Sequence, residues 1–396
     1  MPPATSLIPL LWLCGPAGVG KSTVSWQLFT ELTQDGAHIA FADTDQLCMC
    51  YPAPPSDPGR EYLKAQNLGA MIPNYRAAGA RCVIVNGVVD PVAGIYRDLI
   101  PDAAVTVCRM RADRDELARR FISRHRSWRR PDDELENVLT FTLAEADAMD
   151  ASTFADVVVD TSGAPPPEVA ARVRESCSDW PGFSAAQEGP DGAADSQRTG
   201  LSMPGHYRSG AEADGNIVMI CGPAGVGKST IGFQLYMRYL SAGVMAGYID
   251  LGQLGFLAPG TPGDECEHQL RAANLAGMWQ NCHAAGARHL VVTGRVSSDA
   301  EVKLYRDALP AATITLCYLT AGRAELTRRV MSRRDGGSWP EPGDQLCGQP
   351  AEFLAGLADR TPGTTGALEG ITIDTDGRSV AESADLIAAA LGCPAG

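Results

Sequence analysis

Short apolar runs alternate along this chain with longer segments in which apolar residues return every three to four positions. In the first half the runs are Leu7–Cys14, Ile39–Ala42, Cys82–Asn86, Val105–Met110 and Val157–Asp160. In the second half they are Ile217–Cys221, Met245–Ile249, Leu290–Thr293, Thr313–Leu319 and Ile371–Asp374. Runs this short and this continuous read as strands buried on both faces. Between the first two, Lys21–Gln34 carries Val24, Leu28 and Leu32 at i, i+4, i+8, and Gly36 stands where a helix commonly ends. Buried strands alternating with amphipathic helices predict a parallel sheet with helices on both sides. The expected fold class is α/β, in two tandem copies of a five-stranded, parallel, doubly wound domain.

The two copies are legible as an internal repeat. "GPAGVGKST" stands at Gly15–Thr23 and again, 207 positions later, at Gly222–Thr230. The same offset places Asp43 on Asp250, Gln46–Leu47 on Gln253–Leu254, Asn67–Leu68 on Asn274–Leu275, and "AAGAR" at Ala77–Arg81 on Ala284–Arg288. After an insertion of two residues, Tyr96–Asp98 falls on Tyr305–Asp307, and Leu117, Arg119, Arg120 and Arg124 fall on Leu326, Arg328, Arg329 and Arg333. A unit of this length is a duplicated domain, far longer than a solenoid repeat. Residues 179–214 between the copies are rich in Gly, Ser, Ala, Asp and Pro and lack apolar periodicity. Such a stretch cannot bury enough surface to offset its ordering entropy. The expected organisation is a domain at 1–178, a flexible linker at 179–214 and a second domain at 215–396.

Composition narrows the function classes. The 396 residues carry a formal charge of −14, which argues against a nonspecific polyanion-binding surface and leaves nucleic acid an improbable partner. Any anion site must be local. Twelve cysteines are scattered, several inside apolar runs where a thiol acts as a small hydrophobe. Cys48 and Cys50 lack the companion ligands of a zinc site. Leu7–Cys14 has no basic stretch before it and leads directly into a glycine loop, so it reads as a first strand rather than a signal peptide. No apolar run is of membrane-spanning length. A reducing, cytoplasmic setting is expected.

The repeated nonapeptide contains Gly-x-x-x-x-Gly-Lys-Ser. In the first copy it comprises Gly15, Ala17, Gly18, Val19, Gly20, Lys21, Ser22 and Thr23; in the second, Gly222, Ala224, Gly225, Val226, Gly227, Lys228, Ser229 and Thr230. Its glycines let the backbone turn so that successive N–H groups point at phosphate oxygens, and the helix that follows adds its positive end. Lys21 would reach the terminal phosphates and Ser22 would ligate Mg²⁺. Both copies supply the required strand before the loop and helix after it, so ATP with Mg²⁺ is the expected ligand of each.

Three further features follow in order. "DTD" at Asp43–Asp45 closes the second strand, at the sheet edge where ligands of doubly wound folds bind. Asp43 there could help hold Mg²⁺, as Asp250 could in the second copy. Asp45 could orient or deprotonate a substrate hydroxyl, the plain alternative being an Asx turn. An arginine-dense stretch runs from Arg109 to Arg130. Arg109, Arg111 and Arg114 read as a solvated face with interleaved carboxylates, whereas Arg120, Arg124 and Arg130 read as groups that fold over a triphosphate. "VDTSGAPPP" at Val159–Pro167 is a strand, a tight turn and a helix start, suited either to a wall of a base pocket or to ordinary punctuation.

Loop, "DTD", "RRP" at Arg129–Pro131 and "DTSG" at Asp160–Gly163, in this order, resemble the small-molecule P-loop kinases of the nucleoside-monophosphate-kinase-like group, which includes shikimate, gluconate and adenylylsulfate kinases and chloramphenicol phosphotransferase. The "DTD" looks most like shikimate kinase, where the first aspartate serves the metal and the second holds substrate hydroxyls. The resemblance implies ATP-dependent phosphorylation of a small hydroxylated acceptor. The chain departs from shikimate kinase after the third strand, where "VNGVVDP" at Val85–Pro91 holds only Gly87 in place of a glycine triplet. The copies also differ: Asp250-Leu-Gly252 replaces Asp43-Thr-Asp45, and "SWPEP" at Ser338–Pro342 replaces "SWRRP" at Ser127–Pro131. The expectation is that Lys21, Asp45, Arg120, Arg124 and Arg130 do the chemistry in the first copy. The second would bind nucleotide as a regulatory or pseudo-dimeric partner within the chain. The competing readings are a nucleotide-binding regulatory or scaffold protein and an ATPase without an acceptor; ATP against GTP stays open.

Overall fold

A computed structural model of the chain describes residues 7–47, 49–127, 132–185, 213–260, 264–334, 350–359 and 370–392. Arg130 and most of the expected linker lie outside these residues. In chain order the first half forms β1 (Ile8–Cys14), α1 (Lys21–Gln34), β2 (Ile39–Asp43), β3 (Cys50–Tyr51), α2 (Glu61–Ala77), β4 (Cys82–Asn86), β5 (Ala103–Arg111), α3 (Arg114–Ser127), α4 (Asp132–Ala151), β6 (Val157–Asp160), α5 (Pro166–Ser176) and α6 (Pro181–Ala185). The second half forms β7 (Gly215–Cys221), α7 (Lys228–Ser241), β8 (Ala246–Asp250), β9 (Leu257–Ala258), α8 (Asp264–Ala284), β10 (His289–Thr293), α9 (Asp299–Ala308), β11 (Ala312–Thr320), α10 (Arg323–Arg334), α11 (Ala351–Asp359), β12 (Ile371–Asp374) and α12 (Val380–Leu391).

These elements divide into two compact units. One spans Met1–Cys48, Asp57–Gly205 and Phe256–Pro262; the other spans Met49–Ser56, His206–Gly255 and Gly263–Gly396. The sheet of the first unit runs β6-β5-β1-β4-β2-β9, and that of the second β12-β11-β7-β10-β8-β3. Five strands in each run parallel, as the unbroken apolar runs require. The sixth strand is a departure from the expected five. Leu257–Ala258 pairs antiparallel with Ile39–Ala40, and Cys50–Tyr51 with Ala246–Gly247. Two residues are too few to show periodicity, so only the partner strand's exposed edge defines them as strand.

The first unit's core sits between the sheet and α1 with α5. Leu11 and Leu13 of β1, Val24, Leu28 and Leu32 of α1, and Val169 and Val173 of α5 are all buried in it. Trp26, Phe29, Phe41 and Phe256 close its far end as ring pairs 5.2–5.7 Å apart. Ordered structure continues past the expected linker start at residue 179: Trp180 is buried in this core, stacked edge-on to Phe183 at 4.8 Å. Trp180 and Phe183 together fasten the start of this stretch to the core. In the second unit, Val218 and Ile220 of β7, Ile231 and Leu235 of α7, and Ala384 and Ile387 of α12 fill the corresponding layer.

Strand register prepares the site. Leu13 lies beside Asn86, and Asn86 beside Asp43, so the carboxyl ends of β1, β4 and β2 finish level with one another. The loop after β1 therefore opens onto the side chains at the ends of two neighbouring strands.

Candidate active site

The loop between β1 and α1 is held by backbone shapes that only glycine adopts freely. Gly15, Gly18 and Gly20 have φ of 143°, 84° and 102°. A Cβ on Gly15 would also run into the Met110 carbonyl oxygen on β5. Lys21, the first residue of α1, is buried and donates through Nζ to the carbonyls of Gly15 at 2.8 Å and Pro16 at 3.1 Å. Burial lowers its pKa, while Asp45, Glu145 and Asp43 support its charge. The ammonium is thus tethered inside the loop whose N–H groups would cradle phosphate.

Around the loop the structure gathers groups from four elements. Asn86 Nδ2 donates to Ser22 Oγ at 3.0 Å and to Asp43 Oδ2 at 3.1 Å. Asn86 is fully buried, yet its Oδ1 has no hydrogen-bond partner among the described residues. Asp43 Oδ1 accepts from the Asp45 N–H at 3.0 Å, so the Asx turn is present and leaves Oδ2 to the site. Asp45 accepts from the Val88 N–H at 3.2 Å and pairs with Lys64 Nζ of α2 at 3.1 Å. Lys64 also lies 4.0 Å from Glu61. Glu145 of α4 completes the group within electrostatic reach of Lys21, Lys64, Asp45 and Glu61.

Two adjacent carboxylates here titrate apart. Burial, with the Asp45 charge beside it, pushes Asp43 up to about 7. Packing also raises Asp45, but Lys64 and Lys21 outweigh it and hold that carboxylate below its usual range. Asp45 keeps its side chain 41% exposed, so it meets solvent and solute while Asp43 does not. An ionised, accessible carboxylate thus stands next to a buried one whose charge is disfavoured in the absence of a nearby cation.

The arginines separate as expected in part. Arg111 and Arg114 keep partly exposed side chains tied to Asp160 and Asp147, whereas Arg109 is buried on β5 and pairs with Asp150, so the expected solvated face does not include it. Arg124 lies within electrostatic reach of Asp43 and Asp45. Arg120 is engaged elsewhere: it donates to the Val19 carbonyl at 3.4 Å, to Thr161 Oγ1 at 3.0 Å and to the Thr161 carbonyl at 2.9 Å, and it pairs with Glu116. It is a strut between the loop and the Asp160–Gly163 turn. Thr161 Oγ1 donates to the same Val19 carbonyl at 3.4 Å, so that turn is fastened to the phosphate loop.

The second unit repeats the frame and changes the centre. Gly222, Gly225 and Gly227 have φ of 147°, 79° and 100°, and Lys228 Nζ donates to the Pro223 carbonyl at 2.9 Å. Arg329 repeats the strut, donating to the Val226 carbonyl at 3.1 Å and to Thr375 Oγ1 at 2.9 Å. Ser229 Oγ, however, donates directly to Asp250 Oδ2 at 2.7 Å, and Thr293 takes the place of Asn86, donating to the same oxygen at 3.0 Å. Gly252 stands where Asp45 does, and its N–H meets Asp250 Oδ1 at 2.8 Å. Burial lowers Lys228 to about 8, with Asp250 opposing this and Arg333 and Arg295 adding to it.

Sequence reading missed Asn86, Lys64 and Glu145. Asn86 ends a predicted strand, which was the available signal; Lys64 and Glu145 sit on helices with nothing local to mark them.

No family model matches the chain, and no curated protein matches it. Solved structures similar to it include small-molecule P-loop kinases. The tunicamycin resistance protein of Deinococcus radiodurans is 22% identical, with 46% of this chain and 97% of that one covered and a TM-score of 0.31. A gluconokinase from Sinorhizobium meliloti is 19% identical over 45% and 91%, at 0.31. The APS kinase of Mycobacterium tuberculosis, solved in complex with AMPPNP and APS, is 18% identical over 45% and 98%, at 0.32.

Proposed function

We propose that this chain is an ATP-dependent phosphotransferase that moves the γ-phosphate to a hydroxyl of a small molecule. In this reading the chain is a tandem duplication, and the chemistry belongs to its first unit. The observation that carries it is the pair of unequal carboxylates, Asp43 buried beside Ser22 and Asp45 accessible beside Lys64 and Lys21.

The residues fit a magnesium nucleotide. The glycine loop offers backbone N–H groups to phosphates, and Ser22, Asp43 and the partnerless Oδ1 of Asn86 offer oxygens to a hydrated cation. One carboxylate with substrate phosphates is a usual magnesium environment. The nucleotide supplies the phosphoryl group, and the cation neutralises charge that develops on it. Lys21 leaves the loop carbonyls to meet that charge, and Arg124 adds to it from α3. Asp45, held by Lys64 and the Val88 N–H, orients the acceptor hydroxyl and accepts its proton.

Gly252 favours a second reading for the second unit alone, a nucleotide-binding module with regulatory use and no transfer. No described helix is long and apolar enough to cross a membrane. The test is incubation of the full chain with Mg²⁺, [γ-³²P]ATP and a polar metabolite extract of its source. Label in a metabolite is expected; label in free phosphate alone would sink the transferase reading.

A further inference from the structure

Two short stretches of the chain leave their own half. The repeat offset sets Met49 on Phe256, Cys50–Tyr51 on Leu257–Ala258 and Pro52 on Pro259. Met49–Ser56 belongs to the unit built by the second half, and Phe256–Pro262 to the unit built by the first. Their registers correspond as well. Tyr51 stands opposite Ala246 and Ala258 opposite Ile39, and the same offset carries Ile39 onto Ala246. Each segment therefore takes, on the other copy's sheet, the place that copy's own segment would take.

Backbone and side chains both favour the exchange. All of β2 is buried, so the polar groups along its outer edge need a protein partner. The Phe41 N–H donates to the Phe256 carbonyl at 3.0 Å, and the Tyr248 N–H to the Met49 carbonyl at 2.7 Å. Phe256 packs on the first unit's core, its ring 5.2 Å from Trp26 and 5.7 Å from Phe41. Met49 packs on the second unit's core, which holds Tyr236, Tyr239 and Tyr248. The two niches differ, because Trp26, Phe29 and Phe41 of the first correspond to Phe233, Tyr236 and Tyr248 of the second. A rigid ring fills one and a flexible thioether the other. The backbone from Asp45 to Lys64 accordingly runs by way of the second half's strand. Asp57, the first residue back in the first unit, caps α2 through the N–H groups of Tyr62 and Leu63 at 3.0 and 3.1 Å.

We infer that the open edges of β2 and β8 are interaction surfaces, each made for the segment that follows the carboxylate turn of the opposite copy. The halves are then obligate partners, joined by reciprocal strand exchange and not by the connecting residues alone. Main-chain bonds along the edge supply affinity, and the niche beside it selects the side chain that enters. Exchange of an equivalent element is a low-cost way to join two copies, and here both copies lie in one chain. Neither half carries the whole of its own unit. The inference stands apart from the phosphotransferase reading and survives its failure.

The test places a recognition site for a sequence-specific protease within residues 186–212 of the full chain and cuts the folded protein there. Both fragments should elute together in gel filtration at low micromolar concentration; separate elution would overturn the inference. A disulfide then identifies the segment. Phe41 and Phe256 form a hydrogen-bonded pair, so Ala40 and Leu257 beside them are a non-hydrogen-bonded pair, with Cα atoms ~4.5 Å apart and within the span of a disulfide. Ala40→Cys with Leu257→Cys, oxidised with diamide before the cut, should hold both fragments in one full-length band on a non-reducing denaturing gel, with positions 40 and 257 linked by mass spectrometry. Pairing of each segment at home would set Ala40→Cys opposite Cys50 instead, and the fragments would run apart. A linked band of double size before cutting would give the edge to a second copy of the chain. Either result would overturn the inference, as would the absence of a link in a variant that keeps the parent's thermal transition.

Discussion

The two phosphate loops have the same nine residues, the same glycine conformations and the same arginine strut, yet they face different surroundings. In the first unit Ser22 and Asp43 are bridged by Asn86, and Asp45 projects beyond them next to Lys64. In the second, Ser229 bonds Asp250 directly, Thr293 bonds the same oxygen, and Gly252 stands where the first unit has Asp45. A loop motif therefore reports nucleotide binding and is silent on transfer. What two neighbouring strands and a helix place opposite the loop is what differs between the units.

That comparison would break most visibly at the loop lysines. Lys21→Ala should lower phosphoryl transfer by about a thousandfold, since a preorganised charge at the transferring group is lost, whereas Lys228→Ala should leave turnover within about threefold. Measured with the labelled-ATP assay, the reverse pattern would place the chemistry in the second unit. Asp45→Asn is next. It should cost about a hundredfold in kcat with little change in nucleotide affinity by calorimetry, the expected signature of a lost general base. Retention of full turnover would leave Asp45 as a turn residue only.

The strut sharpens the comparison from the side the units share. Arg120→Ala and Arg329→Ala each remove two or more hydrogen bonds from a loop carbonyl and a turn threonine, so each should weaken nucleotide binding at its own loop about tenfold. Unequal losses, read by calorimetry in the background of the opposite lysine variant, would show that the strut serves transfer rather than loop geometry.

The smallest expected effect is in pH. Asp43 has a folded pKa raised to about 7, so ionising it disfavours the unliganded fold. Its contribution to stability is fully present below the ordinary carboxylate range and is lost as pH rises through about 7. Bound magnesium requires the ionised form, so affinity for the magnesium nucleotide at the first loop should fall severalfold between pH 8 and pH 6, by about as much as one proton competes. Asp43→Asn should flatten that dependence and raise thermal stability at pH 8 relative to pH 5. An equally steep dependence at the second loop, isolated by Lys21→Ala, would remove the role given to the Asp43–Asp45 pair.

Much of this was legible from residues close in sequence. Gly15, Gly18 and Gly20 announce positive φ by their identity, and Lys21–Gln34 announces a helix by the spacing of Val24, Leu28 and Leu32. Strand positions followed from hydrophobic continuity, with ends shifted by one or two residues, as at Ala103–Arg111 against the expected Val105–Met110. Arg120 was legible as important and misread in its role, because an arginine's partners are chosen by reach across the fold. Its bonds to Val19 and Thr161 span 101 and 41 residues.

Local pattern thus determined the two loops and the alternation of buried strands with amphipathic helices, because each depends on backbone preference and burial within a single element. Tertiary structure decided which side chains meet. Asn86 reaches Ser22 across 64 residues and Asp43 across 43 only because β4 inserts between β1 and β2. Lys64 meets Asp45 because α2 returns over that edge, and Glu145 joins them from α4. The sixth strands, Cys50–Tyr51 and Leu257–Ala258, exist only as partners to an open sheet edge. Charge pairing and edge pairing are properties of position in space, and no periodicity along the chain records them.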